Sequence, residues 1–215
     1  MEPAAVPPAA GRVLASRERI VEAARDEVLS KGILGLRVQD VAAKAKVSVP
    51  LIYKYFADRD GLLAEVLGRM FEEIVLEYVE ASEEFFAHLD NPTVDDLAAV
   101  FARPSEELRK GRRWLRVQIM AASMEIPALR ERLTLVQGHI NERTSQFMEM
   151  AQQRIAGRVV ISPRALAIAV QATGMGLVLN DLVEDADKVS DDEHYDMIRA
   201  MLASALELSP DPARK

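Results

Sequence analysis

Leu36-Arg37-Val38-Gln39-Asp40-Val41-Ala42-Ala43-Lys44-Ala45, then Lys46-Val47-Ser48, then Val49-Pro50-Leu51-Ile52-Tyr53-Lys54-Tyr55-Phe56, is the segment from which the architecture of the chain follows. In the first block Val41, Ala42 and Ala45 fall on one side of a short helix over 38–45. The pattern breaks at 46–48. Ser48 offers an N-cap and Pro50 lies in a first turn, where N–H groups have no intrahelical partner to lose, so a second helix runs to about Phe56. Two short helices joined by such a turn, behind a supporting helix, have the form of a helix-turn-helix unit, whose second helix enters a DNA major groove.

The supporting helix lies upstream over 16–31, where Ile20, Ala24 and Val28 recur at spacing four and Gly32 follows as a stop. Ahead of it, residues 1–14 are rich in Ala and Pro and lack the basic start and apolar run of a targeting signal; they are expected to form a disordered tail. Downstream, Asp58 caps a long helix over 59–87, roughly 43 Å at 1.5 Å per residue. Leu67, Phe71, Ile74, Tyr78, Ala81 and Phe85 form its apolar stripe, and Glu73, Glu77, Glu80 and Glu84 line another face.

Five more helices are expected beyond it. Thr93-x-x-Asp96 resembles a capping box for a helix to about Arg103, followed by helices over 106–124 and from Pro127 to about Ile155. Ser162-Pro163 opens another to about Glu184, and the capping box Ser190-x-x-Glu193 starts a last one to 208, after which 209–215 form a second disordered tail. The fold class is all-α, with about nine helices. The domains read as 15–60, the helix-turn-helix, and 61–208, a larger helical body.

The composition agrees with this reading and narrows the function. Of 215 residues, 49% are hydrophobic and only 5% aromatic, which suits a helical core. The chain has no cysteine, which excludes disulfides, thiolate metal sites and cysteine nucleophiles and fits a cytoplasmic location. His88, His139 and His194 form no metal-ligand spacing, and Gly174-x-Gly176 lies in a helical pattern with no strand before it, so it reads as close helix packing rather than a nucleotide loop. No catalytic residue, metal or cofactor is expected, and the nearly apolar run 165–179 is too short to span a membrane. The net charge of −7 conceals a split: residues 1–60 carry 10 Lys and Arg against 8 Asp and Glu, and the remainder 17 against 26. The basic excess lies with the helix-turn-helix.

On the second short helix Ile52 and Phe56 face inward, and the opposite side is the reading face. Lys54 offers a cation, Tyr53 and Tyr55 offer hydroxyls to phosphate, and Val49, Pro50 and Leu51 offer apolar contacts to thymine methyls, with Ser48 at the helix start. Arg37, Gln39, Lys44, Lys46 and Arg59 are candidate backbone contacts.

The motifs Asp40-Val41-Ala42, Ala45-Lys46-Val47-Ser48, Leu51-Ile52-Tyr53-Lys54-Tyr55-Phe56 and Asp58-Arg59-Asp60-Gly61-Leu62-Leu63 occur in the order in which the tetracycline-repressor (TetR) family has its D-[IV]-A helix, A-G-V-S turn, L-Y-x-[HY]-F recognition helix and K-x-x-L-L entry to helix four. Over about Ala15 to Leu67 the chain resembles the DNA-binding domain of that family. Two positions depart from the pattern: Lys46 replaces a turn glycine, and Arg37 replaces the usual Ser or Thr cap.

The resemblance implies a ligand-responsive transcriptional regulator, a repressor that binds a palindromic double-stranded DNA operator as a homodimer and is released by a small apolar or aromatic effector. It further implies a cavity in the helical body. Candidate lining residues are Phe71, Tyr78, Phe101, Trp114, Gln118, Met120, Met124, His139, Arg143, Phe147, Met150, Gln171 and Met175. Dimerisation would use the last two helices, through Ile168, Ala172, Met175, Leu179, Leu182, Ile198, Met201, Leu202 and Ala205. Arg109, Arg112, Arg113 and Arg116 lie at helical spacing and are expected to face solvent or pair with glutamates of the long helix, with anion binding as the lesser reading. The competing function is a helical adaptor that binds protein without DNA; an enzyme is the weaker third.

Overall fold

Nine α-helices account for most of the described residues of the computed structural model, which are 8–101, 106–155 and 158–207. They are α1 (Pro8–Lys31), α2 (Val38–Ala45), α3 (Val49–Phe56), α4 (Arg59–Ala87), α5 (Val94–Val100), α6 (Glu107–Glu125), α7 (Pro127–Arg154), α8 (Pro163–Asp181) and α9 (Asp191–Ala205). By their contacts the residues divide into two compact units: residues up to 72 with 118–136, and 73–117 with 137 onward. The first unit therefore takes in more than the expected 15–60, adding the start of α4 and parts of α6 and α7.

In the first unit Ile20, Ala24 and Val28 of α1 are buried with Val41 and Ala45 of α2, Ile52 and Phe56 of α3, and Leu62, Leu63 and Leu67 of α4. The spacing of four in α1 and of four between Ile52 and Phe56 places each set on one helix face. Helix α1 starts at Pro8, eight residues before the expected Ser16 and inside the expected tail; a proline at a helix start loses no hydrogen bond there. Residues 1–7 and the expected second tail, 209–215, lie outside the described residues. Gly32 (φ 75°) ends α1, its N–H bonding the Val28 carbonyl at 2.8 Å.

Helix α2 ends on Lys46 in the left-handed conformation (φ 55°, ψ 49°). Val47 N–H bonds the Ala42 carbonyl at 3.0 Å and Lys46 N–H the Ala43 carbonyl at 3.3 Å, the double closure of a Schellman motif. The chain then reverses again at Ala57 (φ 63°, ψ −57°), where Asp58 N–H bonds the Phe56 carbonyl at 2.7 Å. Asp58 caps α4 by accepting the Gly61 N–H at 2.7 Å, and a Cβ at Gly61 would lie 2.0 Å from the Phe56 carbonyl oxygen. Only glycine fits there.

In the second unit Phe86 of α4, Leu97 of α5, Ile140, Phe147 and Met148 of α7, Leu166 of α8 and Leu202 of α9 are buried. Both predicted capping boxes form: Thr93 with Asp96 at α5 and Ser190 with Glu193 at α9. The expected extension of α5 to about Arg103 runs partly outside the described residues; α5 itself ends at Val100.

Two ends in this unit differ from expectation. Helix α8 stops at Asp181 rather than near Glu184, because the Asn180 amide bonds both the N–H (2.8 Å) and the carbonyl (3.0 Å) of Val189 and closes a loop containing one 3-10 turn, Asp185–Asp187. Helix α9 stops at Ala205. Leu206–Glu207 (β2) turns extended and pairs antiparallel with Arg158–Val159 (β1), a two-rung ladder that buries Leu206 where the helix was expected to continue to 208.

Candidate functional site

The outward side of α3 and the turn before it carry the expected nucleic-acid contacts. Pro50, Tyr53 and Lys54 are exposed, as are Arg37, Gln39, Lys46 and Ser48, while Val49, Leu51 and Tyr55 are half-buried. The Tyr55 ring meets Phe56 edge-on at 6.3 Å, so it is held by the core from behind. Lys46 and Lys54 have no ion pair among the described residues, and the left-handed backbone at Lys46 is maintained at a cost of about 1 kcal/mol for a residue with a Cβ. Ser48 does not cap α3 through its side chain, contrary to expectation; only its carbonyl enters the helix, bonding Leu51 N–H at 3.0 Å, so the hydroxyl stays exposed. At Arg37 the absence of a side-chain cap is as anticipated.

Two of the expected backbone contacts are engaged within the unit itself. Lys44 pairs with Asp26 at 2.9 Å. Arg59 donates to the main-chain carbonyls of Leu36 (3.2 Å), Ile33 (3.4 Å) and Leu34 (3.4 Å), so its guanidinium closes the loop between α1 and α2. Neither engagement is visible in spacing, since both partners come from another helix or from backbone.

The second unit contains a cavity of about 470 Å³, within the range of small-molecule sites. Of the thirteen expected lining residues Tyr78, Phe101, Phe147 and Gln171 line it. Phe71, Gln118, Met120 and Met124 belong instead to the first unit, where Phe71 is core and the other three are exposed. Trp114, His139, Arg143, Met150 and Met175 are in the second unit but off the cavity; Arg143 bonds Glu83 at 2.8 Å and His139 is exposed. The cause for α6 is rotational. The helix turns Arg109, Arg112, Arg113 and Arg116 inward at i, i+3, i+4 and i+7, and Trp114, 100° from Arg113, falls outside that stripe.

Those four arginines are the main residues that the sequence reading placed elsewhere. Arg112 does pair with a long-helix glutamate, Glu77, at 2.7 Å, as expected. Arg113 makes a bidentate bridge to Asp181, Nη2 to both carboxylate oxygens at 2.8 and 2.9 Å, with both side chains nearly buried. The Arg109 guanidinium stands 5.2 Å from the Tyr78 ring centre and 3.5 Å from Glu106. Burial pushes Arg116 down to about 10 and Tyr78 up to about 12, and Tyr78 donates its hydroxyl to the Val100 carbonyl. Burial also holds His194, a cavity residue, below the usual histidine range. Gln171, at the cavity wall, accepts from Gln137 at 3.1 Å, and Gln137 also donates to Asn141 at 2.8 Å.

Helix α8 presents an apolar surface: Ile168 and Ala172 are exposed, Leu179 is 72% exposed, and Leu182 just beyond is 66% exposed. Met175 and Met201 are half-buried. Ile198, Leu202 and Ala205, expected at a dimer surface, are instead buried in the core of the chain, and α9 turns Met197 and Ala200 outward. A Cβ at Gly174 or Gly176 would meet nothing of the chain itself within 4 Å, so any close approach at these glycines is not within the chain. Among the described residues no helix is long and apolar enough to cross a membrane, and no three His, Asp or Glu side chains are grouped to hold a metal ion.

Residues 20–66 match the profile of a family described as bacterial regulatory proteins, tetR family. An HTH-type transcriptional repressor SCO4008 of Streptomyces coelicolor is 36% identical over 62 residues, 29% of this chain; the chain thus spans about a third (32%) of the length of that curated relative. Among solved structures, a protein described as a TetR-family transcriptional regulator from Mesorhizobium loti is similar in fold over 92% of this chain and 99% of its own, with TM-score 0.70 and 18% identity. The multidrug binding protein EbrR, in its complex with proflavin, is similar over 89% of this chain and 99% of its own, with TM-score 0.61 and 22% identity.

Proposed function

We propose that this chain, a tetR-family protein by its N-terminal domain, is a ligand-responsive transcriptional regulator: a repressor that binds a palindromic operator as a homodimer and leaves it when a small molecule enters the cavity. The observation that carries the reading is the exposed face of α3 and its turn, where Tyr53, Lys54 and Lys46 stand clear of the core that Ile52 and Phe56 anchor. That face fits a major groove, with Lys46 and Lys54 toward phosphates and Pro50 and Val49 toward thymine methyls. The apolar surface of α8 with Met197 and Ala200 of α9 is the surface for a two-fold mate. In such a dimer two heads would occupy half-sites roughly 34 to 36 Å apart.

Helix α4 is unbroken from Arg59 to Ala87 and carries Tyr78 into the cavity, so an effector that shifts α4 changes the spacing of the two heads. A preference for one spacing worth about 1 to 3 kcal/mol changes operator affinity ~5- to 150-fold. EbrR, solved with proflavin and with ethidium, supports a small-molecule role for a helical body of this fold. The test is fluorescence anisotropy with the intergenic DNA upstream of the chain's own gene. Binding is expected as a dimer, and Tyr53→Ala with Lys54→Ala is expected to abolish it while helicity by circular dichroism stays unchanged. A monomer indifferent to duplex DNA would refute the proposal.

A further inference from the structure

We infer that the cavity is built for an uncharged aromatic molecule carrying a hydrogen-bond donor, a hydroxyl or an N–H, which it delivers to acceptors at Ser82, Thr144 and His194. The inference deepens the effector reading above and rests on it. Its ground is which hydrogen-bonding groups of the lining are already spent. Ser82 on α4 and Thr144 on α7 both line the cavity, and each is only 5% exposed. The Ser82 hydroxyl donates to the Tyr78 carbonyl at 2.6 Å and the Thr144 hydroxyl to the Ile140 carbonyl at 2.8 Å, each one turn back on its own helix. A hydroxyl has one hydrogen and two lone pairs, so each has used its donor and kept its acceptors. Among the described residues nothing donates to either oxygen. His194, also in the lining and buried, has no hydrogen-bond partner at Nδ1. Burial favours the neutral ring, while its bond to the Phe101 main chain favours the protonated one, as an N–H given to a carbonyl does; Nδ1 is then the bare nitrogen.

The charged groups of the lining are engaged within the protein instead. Arg112 faces Glu77 at 2.7 Å, Arg109 faces Glu106 at 3.5 Å, Arg113 holds Asp181 through both oxygens, and Arg116 is not free either. Gln171 uses both ends of its amide, accepting from Gln137 at 3.1 Å and donating to Asn141 at 3.3 Å. A charged ligand would have to displace one of these partners, whereas a donor meets oxygens and a nitrogen that have none. Tyr78 is one turn before Ser82 and Phe147 one turn after Thr144, so each acceptor shares a helix face with an aromatic ring. Phe101, its ring centre 6.0 Å from that of Tyr78, completes the aromatic wall. A site that bonds a ligand hydroxyl discriminates against the analogue lacking it, because its own buried groups are then left unpaired.

The test is calorimetric titration of the full-length protein at neutral pH with 2-naphthol, with 2-methoxynaphthalene, which has the same ring and no donor, and with the anion 2-naphthoate. One site per chain is expected, preferring the naphthol to the ether by roughly 10-fold and to the naphthoate by at least as much. Ser82→Ala, Thr144→Val and His194→Phe, which remove the acceptors one at a time, are expected in combination to bring naphthol and ether within about 2-fold, by weakening the naphthol while the ether changes little. Equal binding of naphthol and ether, a preference that survives the triple variant, or a tighter naphthoate overturns the donor inference and leaves a small-molecule cavity standing. If none of the three compounds binds at a single site, the effector reading itself fails and this inference with it. Should the triple variant not fold, displacement of the naphthol from the wild-type chain by 2-naphthylamine and by its N,N-dimethyl derivative decides the matter: a dimethyl compound that competes as well as the amine, or better, overturns the inference.

Discussion

Replacing Lys46 by glycine acts on two energies of opposite sign, and the structure gives each a size. At φ 55° and ψ 49° a side chain with a Cβ costs about 1 kcal/mol or somewhat more, and glycine removes that cost without disturbing the closure from Val47 to Ala42 or from Lys46 to Ala43. Part of the gain is lost to the greater freedom of glycine in the unfolded chain, roughly half a kcal/mol. The net stabilisation is about 0.5 to 1 kcal/mol, which for a chain of this length raises Tm by roughly 1 to 4 °C. In the proposed dimer the same substitution deletes an exposed cation from the turn proposed to face DNA, twice per dimer. Each phosphate contact contributes about 0.9 to the slope of log affinity against log salt, so the variant is expected to bind more weakly with a slope smaller by about 1.8. The assays are differential scanning calorimetry, and anisotropy titrations between about 50 and 200 mM salt. An unchanged slope would refute Lys46 as a phosphate contact, and a lowered Tm would refute the strain.

Gly61→Ala places a Cβ 2.0 Å from the Phe56 carbonyl oxygen and is expected to destabilise the head by about 2 kcal/mol or more, read as a lower thermal midpoint by circular dichroism. Arg113→Ala leaves Asp181 charged and nearly buried, an expected loss of roughly 3 to 5 kcal/mol in urea titration, whereas Arg113→Met with Asp181→Leu recovers most of it. For His194 burial lowers the folded-state pKa beneath the unfolded value near 6.5, so the unfolded chain binds the proton first as pH falls. Its contribution is complete above about pH 7 and lost as the solution is acidified, and His194→Phe is expected to flatten that part of the stability profile, measured by denaturant titration between about pH 5 and 7.

Most helix bounds were legible because they are set by local chemistry: α2 spans Val38–Ala45 and α4 spans Arg59–Ala87 as predicted, and the Thr93 and Ser190 boxes place α5 and α9. The departures arise where the deciding partner is distant in sequence. Nothing near Glu184 announces that Asn180 will bond Val189, and nothing near Ala205 announces that Leu206 will pair with Val159. The cavity was the least legible part. Its lining depends on the angle at which α6 and α7 present their faces, and at 100° per residue a slip of one position exchanges Trp114 for Arg113. An apolar residue also has no local signal separating cavity from core, as Phe71 shows, nor core from exposed surface, as Leu202 and Leu179 show.

The bonds that Arg59 makes to Ile33, Leu34 and Leu36 all end on main-chain oxygens. Peptide carbonyls are the same whatever side chain they carry, so the latch tolerates change on one side only. Leu34, 93% exposed, is free to become almost any residue with the latch intact, whereas Arg59→Lys exchanges a planar fork spanning three acceptors for a single ammonium point. The loop between α1 and α2 is thus open to sequence drift, and the residue that disciplines it sits more than twenty positions away, at the first turn of α4.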